Sequence, residues 1–434
     1  MLSRRELLRA GTLTGLVVTV PGLLASCSES DPPRSKGPAG KIRLVSSDVD
    51  RETADPAAVG AGTSAVVALG AGLYGQLVGT DNLALSPFSA AVALGMTANG
   101  AVGDTLDQML HVLAADEVAA LDDGLNALTA YVESLAGPVP HVKGAEIALD
   151  SASQLFGQAG TAWQRPFLDA LAKSFGAGLR EVDYEHATEQ ARAAINSWTA
   201  DQTHDRIPEI VPDGALDPQT RLVLVNALYF KAPWSKPFEV DATTDDDFHL
   251  ADGTTVQVPT MHGSAGYGEG DGWRAARLRY AGDTLAMTVV LADEGREADL
   301  DALVAGGGLP RLLEAGPGEV QLSLPRWKFL VAAPLKAALQ GLAMTVPFEP
   351  GQADFSAMTA DEQLVVGDVL QQVFIAVDEA GTEAAAATAV VVEATSGQVE
   401  PPAPLVVDRP FVFVIHDLEN GTPLFLGKVV DPRS

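Results

Sequence analysis

The chain has 434 residues, 57 of them acidic against 28 basic, a formal net charge of −29, and 47% hydrophobic residues. With only 20% of residues charged, it is far from a disordered composition and can bury a sizeable core. The acidic balance argues against nucleic acid and other polyanions as partners, and a single Cys excludes a disulfide framework or a paired-cysteine metal or redox site.

At the N-terminus, Arg4-Arg5 precedes an apolar run from Gly11 to Leu24. This run is too short to cross a bilayer, which takes about 20 residues. It ends in Leu24-Ala25-Ser26-Cys27, which resembles a bacterial lipobox. On that resemblance residues 1–26 are a lipoprotein signal peptide, and Cys27 is lipidated and becomes the new N-terminus. The twin arginines also resemble a Tat signal, which implies export in a folded state. Residues 27–56 hold Pro32-Pro33, Gly37-Pro38 and several acids, and read as the lipidated Cys followed by a flexible linker. The expected location is the outer face of the cell membrane or the extracellular space. No later run of 18 apolar residues is read in the sequence, so the lipid is the one expected membrane contact.

From residue 57 to 434 no second linker, repeat or low-complexity block interrupts the chain, which reads as one domain. Helical periodicity covers Thr63–Val78, Ala90–Ala98, Thr105–Leu113, Asp116–Ala136, Arg165–Phe175 and Ala187–Thr203. Strand-like runs follow at Leu222–Phe230, Thr284–Leu291, Glu319–Pro325, Val373–Val377, Phe411–Ile415 and Pro423–Val429. Helices grouped early and strands late predict an α+β fold.

Enzyme motifs do not survive their context. The GxGxxG match at Gly70–Gly75 lies inside a helical pattern, where a dinucleotide fingerprint would follow a strand. His249 and His262 stand apart and read as surface residues. No catalytic residue, cofactor or metal is expected.

Four blocks carry the reading of function. Ser86-Pro87-Phe88-Ser89 opens a helix, with Ser86 suited to the N-cap and Pro87 to the first helical position. Leu224-Val225-Asn226-Ala227-Leu228-Tyr229-Phe230 leads to Trp234. Asp378-Glu379-Ala380-Gly381-Thr382-Glu383 runs into Ala384, Ala385, Ala386, Ala387 and Thr388. Asp408-Arg409-Pro410-Phe411 leads to Pro423-Leu424-Phe425-Leu426-Gly427. In this order and spacing the blocks resemble the serpin family over essentially the whole of residues 57–432.

The resemblance implies a single-domain fold of three β-sheets and about eight or nine helices, with an exposed reactive-centre loop. It implies a monomer that traps a target serine protease as a covalent acyl-enzyme, using a loop that is both bait and spring. The hinge is then Glu379, Gly381, Thr382, Glu383 and the alanines through Thr388. Family inhibitors place the cleaved residue 16 positions after the hinge glutamate, which gives the Thr395–Ser396 bond, with Ala394 a neighbouring candidate. Ser86, Ser89, Asn226, Trp234 and Gln371 would lie beneath and at the top of the place where the main sheet opens. Gln371 departs from the family, whose members usually have His there. The segment from Ser396 to Pro410 is longer than usual and holds Pro401, Pro402 and Pro404, which stiffen it.

The loop is itself patterned as a strand. From Thr382 one face reads Thr382, Ala384, Ala386, Thr388, Val390, Val392, and the other reads Glu383, Ala385, Ala387, Ala389, Val391, Glu393. One face is free of charge and the other carries both acids, so a slip of one residue would bury two carboxylates. Inserting about a dozen residues is worth on the order of 10–20 kcal/mol in ladder bonds and buried valine. Thr388 to Glu400 contains no Lys, Arg or aromatic residue, which points to a protease with a small or aliphatic S1 pocket, elastase-like or subtilisin-like. Asp116–Ala136 lacks Lys and Arg, so no glycosaminoglycan partner is expected. The alternative is a non-inhibitory serpin acting as a surface binding protein; it would show charge or proline on the core-facing side of the hinge, and neither is present.

Overall fold

Residues 41–314, 316, 318–383 and 404–433 are described by a computed structural model of the chain. Local signals start its helices where the sequence suggests. The Ser86 hydroxyl accepts from the Ser89 N–H at 3.3 Å, Pro87 takes the first turn, and Pro87–Ala98 is buried throughout. Arg165–Phe175 ends on Gly176 in a left-handed conformation. Tyr184–Gln202 begins earlier than its periodicity predicts because Asp183 caps it, accepting from the His186 N–H at 3.0 Å; non-helical Ala187 (φ −146°) then separates this first turn from the regular helix.

The helical stretch Pro56–Leu77, whose α-helix is Val59–Leu77, is long and apolar enough to cross a membrane, a property not read from the sequence, but Val66, Leu69, Leu73 and Tyr74 along it are wholly buried in the core. The GxGxxG glycines lie in this helix. Gly70 abuts Pro87, Gly72 abuts Leu342 and Gly75 abuts Ala305, each with no room for a Cβ. Close helix packing accounts for them.

The strands form two nine-stranded sheets. The expected α+β architecture is present, with nine α-helices among the described residues, one of them the single turn Leu309–Leu312. The three sheets anticipated are hydrogen-bonded into two, and one strand explains the joining. Thr255–Gly270 pairs with Thr244–His249 over its first residues, then with Gly318–Pro325, and at its far end with Trp273–Arg279.

The main sheet places the site. Its order is Arg43–Val45, Leu179–Val182, Gln154–Gln158, Leu222–Pro233, Gly381–Thr382, Asp368–Val377, Trp327–Pro334, with Glu146–Ser151 beside the upper half of Leu222–Pro233. Leu222–Pro233 is buried on both faces. Leu224, Leu228 and Phe230 join the large core, while Val223, Val225 and Ala227 face a smaller core with Ile195 of helix Tyr184–Gln202 and Ile207. Asp368–Val377 alternates strictly between half-buried and buried residues, as a strand of period 2 should.

Residues 41–55, read from sequence as linker, are docked. Arg43–Val45 pairs antiparallel with Leu179–Val182, and Arg43 meets Glu181 at 2.9 Å. Arg51 bonds Asn126 and Glu133, and the Glu52 N–H donates to the Lys173 carbonyl at 2.8 Å. Alternation fails to show this strand because it is three residues long and partly exposed. Residues 1–40, with Cys27, lie outside the described residues.

Candidate functional site

The two longest central strands of the main sheet part company halfway along. Asp368–Gln372 pairs parallel with Val223–Ala227. Above that, Leu228–Lys231 and Val373–Ala376 have no direct pairing with each other, and Gly381–Thr382 occupies the space at the top. Thr382 pairs antiparallel with Ala232 on one side and Val377 on the other, and Gly381 pairs with Pro233. The hinge therefore already contributes two residues to the sheet, above a gap several residues deep.

The top of the gap is tightly built. Asp378 turns the chain, its carboxylate accepting from the N–H groups of Ala380 and Gly381 at 2.9 and 3.2 Å. Trp234 stacks on Tyr280 with centroids 4.5 Å apart, and its indole N–H donates to the Asp378 carbonyl at 2.9 Å. The Tyr280 and Thr382 hydroxyls share a hydrogen bond of 2.6 Å, both groups buried. Glu379 is 5% exposed and receives the Arg326 guanidinium, with Nε at 2.7 Å, as well as the Thr243 hydroxyl. Burial alone would raise its pKa, but those hydrogen bonds win and hold the carboxyl below the usual glutamate range. Glu383, one residue beyond the inserted pair, is ion-paired to Arg206.

At the foot of the gap Ser86, Ser89, Asn226 and Gln371 meet in one buried cluster. The Gln371 amide accepts from the Ser86 N–H and donates to the Ser86 carbonyl, both at 3.0 Å, and also donates to the Asn226 side-chain oxygen. Ser89 bridges at 3.4 Å to the same Asn226 oxygen. The departure from His thus keeps a connected network, because an amide presents donor and acceptor side by side. The Asn226 side-chain nitrogen is buried without a hydrogen-bond partner.

Of the residues singled out in the sequence, the structure gathers Glu379, Gly381, Thr382, Glu383 and Trp234 at the top of the gap and the four cluster residues at its foot. Ala384, Ala385, Ala386, Ala387, Thr388, Ala394, Thr395 and Ser396 lie outside the described residues. His249 is exposed beside Thr255, and half-buried His262 bonds Thr244 and Ser323. The partners Arg206, Thr243, Tyr280 and Arg326 were not anticipated. Arg326 carried one usable signal, a cation set directly between Pro325 and Trp327. Among the described residues no cluster of His, Cys, Asp and Glu is arranged to hold a metal ion.

The chain as a whole has counterparts among known proteins. The family model described as Serpin (serine protease inhibitor) matches residues 64–432. A serpin-like protein of Thermococcus kodakarensis is 35% identical over 83% of each chain, and the leukocyte elastase inhibitor of Homo sapiens is 33% identical over 81% of this chain and 93% of its own. Among solved structures, the thermophilic serpin tengpin in its native state superposes with a TM-score of 0.77, at 26% identity, covering 89% of this chain and 97% of its own. The chain belongs to the serpin family, whose members are typically protease inhibitors and not enzymes.

Proposed function

We propose that this serpin inhibits serine proteases covalently and irreversibly, with Thr395–Ser396 as the bait bond and insertion of the loop into the main sheet as the trap. The observation that carries this reading is the gap beneath Thr382. Counting on from the observed pairs, the next residues of the loop would pass down it in fixed register. Ala384 would lie between Phe230 and Ile375, Ala386 between Leu228 and Val373, and Thr388 between Asn226 and Gln371. All of these neighbours are buried. The acids would fall on the opposite face, Glu383 beside Lys231 and Glu393 beside Arg221. To complete the passage, the five pairs from Asp368–Val223 to Gln372–Ala227 must separate. Thr388 would then place a hydroxyl within reach of the unpartnered Asn226 nitrogen.

The chemistry is an interrupted acyl transfer. The protease serine oxygen attacks the Thr395 carbonyl carbon, its proton passing to the protease's own base. The Thr395–Ser396 C–N bond breaks, Thr395 becomes the acyl ester, and the Ser396 amine takes the proton. Insertion then carries the ester away before water hydrolyses it. The piece beginning at Ser396 stays with the body, since Phe411–Asp417 and Pro423–Val429 are fully buried strands. The absence of Lys, Arg and aromatics from Thr388 to Glu400 favours an elastase-like or subtilisin-like target, as do relatives named for leukocyte elastase. The lipobox-like sequence ending at Cys27 puts the inhibitor, in this reading, at the outer face of the cell membrane.

Mixing residues 41–434 with elastase-like, subtilisin-like and trypsin-like proteases tests this on a denaturing gel. A boiling-resistant adduct with one of the first two, and a fragment whose mass begins at Ser396, is the expected result. Cleavage without adduct and without a gain in thermal stability would overturn it in favour of a surface binding protein.

A further inference from the structure

Among the described residues, the strand pairing of the hinge ends at one residue, Glu383. Thr382 is paired on both sides and Gly381 with Pro233, and the Glu383 N–H donates to the Ala376 carbonyl at 2.8 Å, the next contact a continuing strand would make. At that point the backbone departs from strand conformation, with Glu383 at φ +49°. A residue with a Cβ rarely adopts that conformation, and a continuing strand needs φ near about −140°. The side chain supplies what holds it. The Glu383 carboxylate, 10% exposed, receives the Arg206 guanidinium. The Tyr229 hydroxyl faces the same carboxylate, and its pKa is pushed up to about 12, by burial first and by the Glu383 charge next.

Arg206 is itself held firmly. It sits just beyond helix Tyr184–Gln202, stands 5.5 Å over the Phe374 ring of the sheet, and is followed by Ile207, buried in the smaller core. The Arg206 and Ile207 N–H groups both return to Thr203, at its carbonyl and its hydroxyl.

Resting on the insertion reading above, we infer that Glu383 and Arg206 form a latch. It arrests spontaneous insertion after Thr382 and governs how fast insertion resumes once the loop is cut. To advance, Glu383 must turn to an extended φ and exchange Arg206 for Lys231, its neighbour in the continued register. A cation waits at both positions, so the latch slows the step without disfavouring the inserted end state.

The test compares the intact parent with Arg206→Met, Glu383→Gln and the double variant. Each is held at a moderately raised temperature, and the fraction converted to a form resistant to thermal unfolding is followed by circular dichroism. Both single variants are expected to convert about three- to tenfold faster than the parent, and the double variant no faster than either. As the reference for insertion itself, the parent is also cut in its loop with subtilisin and melted. A parent that gains stability on cutting, with single variants converting at the parental rate or with multiplying effects, would overturn the latch alone. A parent that gains none would overturn the insertion reading and the latch with it.

Discussion

Gln371 and Ser86 exchange two hydrogen bonds of 3.0 Å, so a side chain of one sheet strand is paired to the backbone N–H and carbonyl of the residue that caps helix Pro87–Ala98. The strand that must move during insertion is thereby fastened to a helix that is buried and cannot easily follow. Gln371→Ala leaves the Ser86 N–H buried without this acceptor and should cost about 1–3 kcal/mol. Gln371→His should recover part of it, since a ring nitrogen can serve either Ser86 or Asn226. Midpoints of urea unfolding of the uncleaved protein would measure both, and an unchanged midpoint for the alanine variant would contradict the role assigned to the pair.

Thr388→Arg should convert the inhibitor into a substrate. In the inserted register the guanidinium would be forced onto the buried Asn226–Gln371 cluster, at a cost of several kcal/mol. Expected are loop cleavage at an undiminished rate, no adduct on the gel and no thermal gain.

Thr395→Arg should change the target while leaving the trap intact. A basic side chain at the bait position fits an acidic S1 pocket, so adduct formation with a trypsin-like protease should rise at least about a hundredfold, and that with an elastase-like protease should fall. Cleavage after a residue other than 395 in the variant would move the bait bond.

The stability of the uncleaved form should fall in mild acid through His416. Its ring is 2% exposed, its Nδ1 donates to the Asp417 carbonyl at 3.1 Å, and its Nε2 accepts from Thr288 at 2.9 Å. Burial first of all drives its pKa from 6.5 down to about 4. Below pH about 6.5 the unfolded chain takes up a proton that the native ring refuses until about pH 4, so the contribution of His416 is full above that window and is lost as pH falls through it. The loss is on the order of 3 kcal/mol at most. His416→Gln should flatten the dependence between pH 6.5 and 4, read as urea midpoints across that range.

The hinge was legible as one contiguous block, and the foot cluster only through the family resemblance, since its members Ser86 and Gln371 lie 285 positions apart. Ser86 capping, the Pro87 start and the charge-free face from Thr382 onward are each local patterns. The latch was not legible: Arg206 meets Glu383 across 177 positions, and no periodicity links them. The Glu379–Arg326 pair, 53 positions apart, was hidden in the same way. Strand Thr255–Gly270 was missed for another reason. Its Pro259, Gly263, Gly266, Gly268 and Gly270 read as loop, whereas Gly263 is needed where the Phe238 ring would meet a Cβ at 2.8 Å, and Gly270 where Trp273 would at 2.5 Å. The docked residues 41–55 escaped because their ties to Asn126, Lys173 and Glu181 are long-range polar contacts, invisible to a reading of composition.

The two borders of the main sheet are poor templates for another chain. Arg43–Val45 offers three residues, and Trp327–Pro334 is bounded by Pro325 and Pro334 and carries Lys328. The stretch beneath Thr382, where Leu228–Lys231 and Val373–Ala376 have no pairing with each other among the described residues, is a different kind of border, turned inward. On the insertion reading proposed above, the loop of one molecule would fit the same place in the sheet of another, and a short peptide copying residues 384–393 would compete with both for it.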